Sequence, residues 1–235
     1  MYIEFIASST ETENFVKSPQ KSILSIPKWF TSQRSEYAKS PQFDERGKAQ
    51  FANGGIKACM PFFDSLTHGY IQETWCDIYI EKDKTSGQLK YYYSSSPEIM
   101  SSRAVQSTTH HDGEYYPTEF IWHIEWINKT PKGYSVLITH PLNRLDLPFT
   151  TMSAIVDSDL YHHSPSGNLP FLIKNNFEGL IPAGTPMYQV IPIKRESWTR
   201  KQISYGIDVE KRWRKQQSKF SDFYKKHFWQ RKSFD

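Results

Sequence analysis

The stretch TTHHDGEYY at 108–116 sets His110, His111 and Asp112 side by side. A His-x-Asp pair completed by a distant histidine is the ligand set of a non-haem iron oxygenase. His110 and Asp112 would supply two ligands and His163 the third, with His140 or His162 as substitutes; iron or another divalent metal would be the cofactor. The spacing is a common one. The preferred reading leaves both His doublets in surface loops among Ser, Thr, Gly and Pro, with no cofactor. A second polar cluster lies in HPLNRLDLPF at 140–149, where Asn143, Arg144 and Asp146 fall between two prolines. Such a group at a strand end can hold a ligand, with Arg144 clamping an anion. It can equally tie a corner, Arg144 pairing with Asp146 or Asp157, and this structural reading is preferred. No catalytic residue is assigned: no Ser sits in a G-x-S-x-G elbow, and Cys59 lies among apolar residues away from an evident activating base.

The elements that must position these residues read as strands. YIEFI at 2–6 alternates. Residues 7–55 are polar and loop-like, an irregular arm in which Ile26, Trp29 and Phe30 are anchors. IKACMPFFDSLTHGYI at 56–71 holds a short apolar segment, a Pro and a small turn. A strand is expected over 74–81, with Cys76, Ile78 and Ile80 on one face and Trp75, Asp77, Tyr79 and Glu81 on the other. KTSG then turns the chain into QLKYYYSSS, a hairpin. TEFIWHIEWINKT alternates with Phe120, Trp122, Ile124 and Trp126 on one side. Further strands are expected at YSVLITHPLN, TTMSAIVDSD, LPFLIKN and MYQVIPIK. Strands every ten or so residues predict an all-β sandwich or barrel. In FEGLIPAGTPMYQVIPIKRE at 177–196, Pro182 and Pro186 fix φ and Gly184 permits a positive φ, so the turn is expected to set the register of its two flanking strands.

The C-terminal end differs. From 208 to 232 there is no Gly or Pro, and nine residues between 211 and 232 are Lys or Arg. Trp213, Phe220, Tyr224 and Phe228 recur at helical spacing and form one stripe, which needs the β body or a neighbouring subunit to sit on. The expected division is an all-β domain at 1–205, with an arm at about 7–55, and a basic aromatic helix at 206–235.

With 235 residues, 37% of them apolar and 15% aromatic, the chain can bury a ring-rich core. A net charge of +4 does not argue for nucleic acid; the basic helix offers a surface for it, a reading not favoured. Cys59 and Cys76 fit neither a disulfide framework nor a zinc site. They read as buried small residues in a reducing compartment, with one bridge between them as the alternative. No run of about 18 apolar residues spans a membrane, and MYIEFIASSTETENF does not resemble a secretory signal.

IPKWF, IKACMPFFDSLTHGYI, TPKGYSVLITHPLNRLDLPFTTMSAIVDSDLYHH, LPFLIK, FEGLIPAGTPMYQVIPIKRESW and the closing YKKHFWQRKSF resemble a family of uncharacterised proteins encoded largely by tailed bacteriophages. That resemblance covers most of the chain and implies a phage origin. Residues 154–195 are also similar to the second half of the trimeric dUTPase and dCTP deaminase fold, a β-clip. This second resemblance implies that Asp157 and Tyr161 bind a deoxyribose. The chain departs from that pattern in two ways: it has no Gly-rich phosphate cradle, and a basic helix stands in place of a Gly-rich C-terminal arm. The expected function is therefore a phage structural or accessory protein. It would be a virion component made in the host cytoplasm, docking on other phage proteins through its arm and its C-terminal helix, and would form a homo-oligomer. A dUTPase-like nucleotide-binding protein or enzyme is the first alternative, and a His/Asp metal-dependent oxygenase the second.

Overall fold

The computed structural model describes residues 1–34, 42–43, 45–46, 49–50, 55–103, 113–162, 167–204, 206, 208–211 and 223–235. The chain is mainly β. Its strands in order are β1 (Glu4–Ala7), β2 (Gln20–Lys21), β3 (Gln42–Phe43), β4 (Ala49–Gln50), β5 (Tyr70–Glu73), β6 (Ile78–Lys82), β7 (Leu89–Tyr92) and β8 (Met100–Ser102). They continue as β9 (Phe120–Ile124), β10 (Trp126–Lys129), β11 (Tyr134–Thr139), β12 (Phe149–Thr151), β13 (Ala154–Val156), β14 (Gly167–Ile173), β15 (Gly179–Ile181) and β16 (Pro186–Lys194). Helices α1 (Thr10–Phe15), α2 (Lys28–Thr31) and α3 (Met60–Thr67) lie in the first third of the chain. Among the described residues no helix is long and apolar enough to cross a membrane.

Contacts divide the chain into two compact units, Met1–Ser25 with His68–Arg195, and Ile26–Thr67 with Glu196–Asp235. In the first unit a five-stranded sheet runs β13-β11-β16-β5-β2, a four-stranded sheet β12-β14-β9-β8 and a three-stranded sheet β15-β6-β7, with β1 pairing β10. Every pairing is antiparallel, and among the described residues no sheet closes into a barrel. The core is mainly aliphatic, with a cluster of stacked rings inside it. Trp122 lies flat on Phe171, with centroids 3.6 Å apart, and Phe149 meets Trp122 edge-on at 5.1 Å. The indole N–H of Trp122 is not left unmet: it donates to Thr151 Oγ1 at 3.1 Å, and that hydroxyl donates to the Met187 carbonyl at 2.7 Å.

Several expectations need correction. The strand expected over 74–81 starts only at Ile78, because Thr74 and Asp77 bond the corner at 182–185 instead of a ladder. Thr74 N donates to Thr185 O and Gly184 N to Thr74 O, both at 2.8 Å, and Ala183 N donates to Asp77 Oδ1 at 2.8 Å. TTMSAIVDSD is split between β12 and β13, which belong to different sheets. The run from 120 to 129 breaks at Glu125, whose buried carboxylate accepts from the hydroxyls of Ser8 and Thr12. The turn at 182–186 does not set the register of its two flanking strands on each other, because it is a corner between sheets: β15 pairs with β6, while β16 pairs with β11 and β5. Gly184 does take a positive φ of 84°.

The arm expected at 7–55 is partly regular. Ser9 caps α1 by accepting from Thr12 N at 3.1 Å, with Glu11 and Glu13 in the first turn, where the helix dipole favours them. In the second unit Phe30 of α2 is buried against Phe62 and Phe63 of α3, at 5.8 and 6.3 Å. Asp64 of α3 accepts from Trp229 Nε1 at 3.0 Å and from Lys232 Nζ at 2.6 Å. Helical backbone is present at 208–211 and Phe223–His227. Both cysteines are free, so they form no bridge; Cys59 is exposed, which corrects the buried reading, and Cys76 is half-buried.

Candidate functional site

The cluster between Pro141 and Pro148 is built as a tie. Asn143 takes a φ of 61°, the one positive φ among described non-glycine residues, and turns the loop back. Arg144 Nε and Nη2 each donate to Asp146 at 2.9 Å, a fork on a carboxylate, and Nη1 donates to the Ser25 carbonyl at 3.3 Å. Lys174 Nζ donates to Leu145 O at 2.7 Å, and Leu142 N donates to the side chain of the buried Gln189 at 2.8 Å. His140 holds the loop from below. Its Nε2 donates to the Arg144 carbonyl at 3.0 Å, and its Nδ1 accepts from Thr151 N at 3.2 Å. Burial pushes its pKa below the ordinary histidine value, and the cations Lys174 and Arg144 push the same way. An Arg whose fork already holds Asp146 is not an open anion clamp. Of the two pairings expected for Arg144, Asp146 is the partner found.

Asp157 belongs to a different network. Ser135 Oγ donates to its Oδ1 at 2.7 Å, and Arg195 Nη1 donates to the same oxygen at 3.2 Å. Arg195 also forks onto Asp159, which accepts Gly133 N at 2.8 Å as well. The Arg195 hydrogen bond holds the Asp159 carboxyl down to about 2. Arg195 is the residue that sequence reasoning missed. It follows β16 directly, its backbone N donates to Gly133 O at 2.9 Å, and nothing in local spacing pairs it with an aspartate 36 or 38 positions earlier. Tyr161 stands exposed at the lip of a cleft shared with β9, β10, β11, β13 and β14. Asp157 and Tyr161 are thus not brought into the Arg144 cluster by any described hydrogen bond.

His110, Asp112 and His163 lie outside the described residues, as do Trp213 and Phe220. Among the described residues no group of three His, Cys, Asp or Glu is placed to hold a metal ion. Tyr224 and Phe228 are neighbours, with centroids 6.4 Å apart, and both are exposed. A second apolar surface lies on the three-stranded sheet of the first unit. Leu180 of β15 pairs with Tyr79 of β6, and Tyr79 pairs with Tyr92 of β7. These three adjacent side chains are 53%, 47% and 51% exposed, whereas Ile78 and Ile80 on the opposite face are at 0%.

No family model and no curated protein matches the sequence. Among solved structures, a mutant dUTPase from phage phi11 of S. aureus aligns over 88% of this chain and 99% of its own, at 11% identity and a TM-score of 0.35.

Proposed function

We propose that the protein is a bacteriophage structural or accessory protein, a virion component that works by docking on other phage proteins. The observation that carries this reading is the uncovered row Leu180–Tyr79–Tyr92, two rings and a leucine side by side across a sheet whose opposite face buries Ile78, Ile80 and Ile181. Contiguous exposed apolar surface marks interaction sites, and tyrosine is enriched where proteins meet because its ring is apolar and its tip tolerates water. Tyr224 and Phe228, exposed beside Lys225 and Lys226, give the C-terminal segment the same character with a cationic edge. The two polar clusters fit this reading, since Arg144 and Arg195 are spent on internal carboxylates. Mass spectrometry of purified virions tests it: the protein is expected in the particle at a fixed ratio to other virion proteins. Detection only in infected-cell extract would remove the virion role.

A further inference from the structure

Charge is divided unevenly along the chain. Residues 196–235 carry eleven Lys or Arg and five Asp or Glu, a net of +6, so residues 1–195 carry −2. The whole-chain figure of +4 averages these two parts and hides the basic one. Such asymmetry points to a polyanionic partner. Nine of the last forty residues are Trp, Tyr or Phe, and cations alternate with them. Arg200 and Lys201 follow Trp198, while Tyr224 and Phe228 bracket Lys225 and Lys226.

Within the second unit the end of the chain is anchored. Trp229 Nε1 and Lys232 Nζ both donate to the Asp64 carboxylate of α3, at 3.0 and 2.6 Å. Just before this anchor, the helix Phe223–His227 and the residue after it leave two rings in solvent. Tyr224 is 42% exposed and Phe228 59%; their centroids lie 6.4 Å apart, with planes 36° from parallel. Trp198, on a stretch without regular structure, is 87% exposed. Arg200, Lys201, Lys225 and Arg231, close to these rings in sequence, are exposed as well. Rings and cations held together in water suit a ligand with flat apolar faces and negative charge.

Single-stranded nucleic acid has both. Its unpaired bases stack on aromatic side chains, and its phosphates take the cations. A duplex hides its base faces within the stack, and a helix of five residues is too short to read a groove. A membrane surface calls for a longer helix with apolar and cationic residues on opposite faces. An acidic peptide would take the cations and leave the rings uncovered. We propose that the C-terminal segment of the second unit binds single-stranded nucleic acid, with bases stacked on Trp198, Tyr224 and Phe228 and phosphates on the cations between them. This goes beyond the docking row of the first unit and does not rest on it.

Fluorescence anisotropy with the full-length protein and a labelled oligo(dT) of about 20 nucleotides tests the assignment. Saturable binding is expected at about 50 mM NaCl, weakening with salt at a log–log slope of about −0.7 per phosphate engaged. A duplex of equal length, poly-glutamate, and vesicles of phosphatidylserine and phosphatidylcholine are expected to bind at least about tenfold more weakly. Trp198→Ala, and Tyr224→Ala combined with Phe228→Ala, are each expected to weaken oligo(dT) binding about fivefold or more at an unchanged salt slope. Lys225→Gln is expected to reduce the slope by about 0.7. Tm is the control, since the substituted side chains are exposed. Should a ring variant melt lower, the Lys225→Gln slope decides, and an unchanged slope overturns the proposal. Equal binding of poly-glutamate would leave only a charged surface, and equal or tighter binding of vesicles would make the segment a membrane contact. Either result overturns the proposal, as do a duplex bound as tightly as oligo(dT), no saturable binding of oligo(dT), and undiminished binding by folded ring variants.

Discussion

His140 has its protonation state written into its neighbours. The Thr151 N–H requires a lone pair on Nδ1 and the Arg144 carbonyl requires a proton on Nε2, so the ring is neutral and one tautomer is selected. A second proton on Nδ1 would face the Thr151 N–H and would sit near Lys174 and Arg144. The sign follows from linkage. The folded pKa lies below the unfolded value near 6.5, so the unfolded chain binds the proton more readily. The contribution of His140 is therefore complete above about pH 6.5 and is lost as pH falls below it, at a slope of up to about 1.4 kcal/mol per pH unit. Thermal melts from pH 8 to pH 5 are expected to show this decline in the wild type, and His140→Gln is expected to flatten it while lowering Tm at pH 8. Parallel profiles for the two proteins would show that the imidazole is not the titrating group. Asp159 acts in the acid range: its depressed pKa places the loss of the Arg195 tie below about pH 4, well separated from the histidine step.

At the scale of elements, two glycines with the same backbone handedness do different work. Gly184 turns the corner between β15 and β16 at φ 84°, and a Cβ there would meet nothing within 4 Å. Gly69 leads into β5 at φ 69°, and a Cβ there would lie 2.2 Å from the Val190 carbonyl oxygen of β16. Gly184→Ala carries only the left-handed strain of an L residue and is expected to lose about 1 kcal/mol. Gly69→Ala must also push back the central strand of the five-stranded sheet and is expected to lose roughly 3 kcal/mol or more. Urea midpoints at unchanged m report both; equal losses would mean that β16 does not approach Gly69 closely. The same distinction explains what the sequence discloses. Alternation reveals the buried faces, Ile78 with Ile80 and Phe120 with Trp122 and Ile124, because a strand repeats every two residues. The breaks at Thr74–Asp77, Glu125 and Thr151–Ala154 escape notice, because their causes lie far away in Pro182–Thr185, in Ser8 and Thr12, and in the transfer of the chain from one sheet to another. The candidate sites divide likewise. The Arg144–Asp146 fork is legible at a separation of two residues, while the Asp157–Arg195 tie depends on strand order.

For the whole molecule, the deciding matter is which apolar surface folding uses and which it leaves uncovered. A net charge of +4 on 235 residues gives little long-range steering, so association must come from contact surfaces. β6 carries both kinds on one strand: Ile78 and Ile80 point into the core at 0% exposure, and Tyr79 between them is 47% exposed in line with Leu180 and Tyr92. Replacing Tyr79, Leu180 and Tyr92 together by Ser removes side chains that the isolated chain leaves about half exposed. Each change is expected to shift stability by about 0.5 kcal/mol or less, and the triple variant to melt within roughly 5 °C of the wild type. Tyr92 contributes one exposed hydrogen bond, to Glu81 at 2.9 Å, which falls within that allowance. Ile80→Ser, one position along the same strand, is expected to lose several kcal/mol by burying a hydroxyl in an apolar core. If the row is a docking surface, particles assembled with the triple variant as the sole copy hold at least about tenfold less of the protein, although it folds as well as the wild type. Full incorporation of the triple variant would move the docking role elsewhere, to the exposed Tyr224 and Phe228 of the second unit, where the same substitution logic applies.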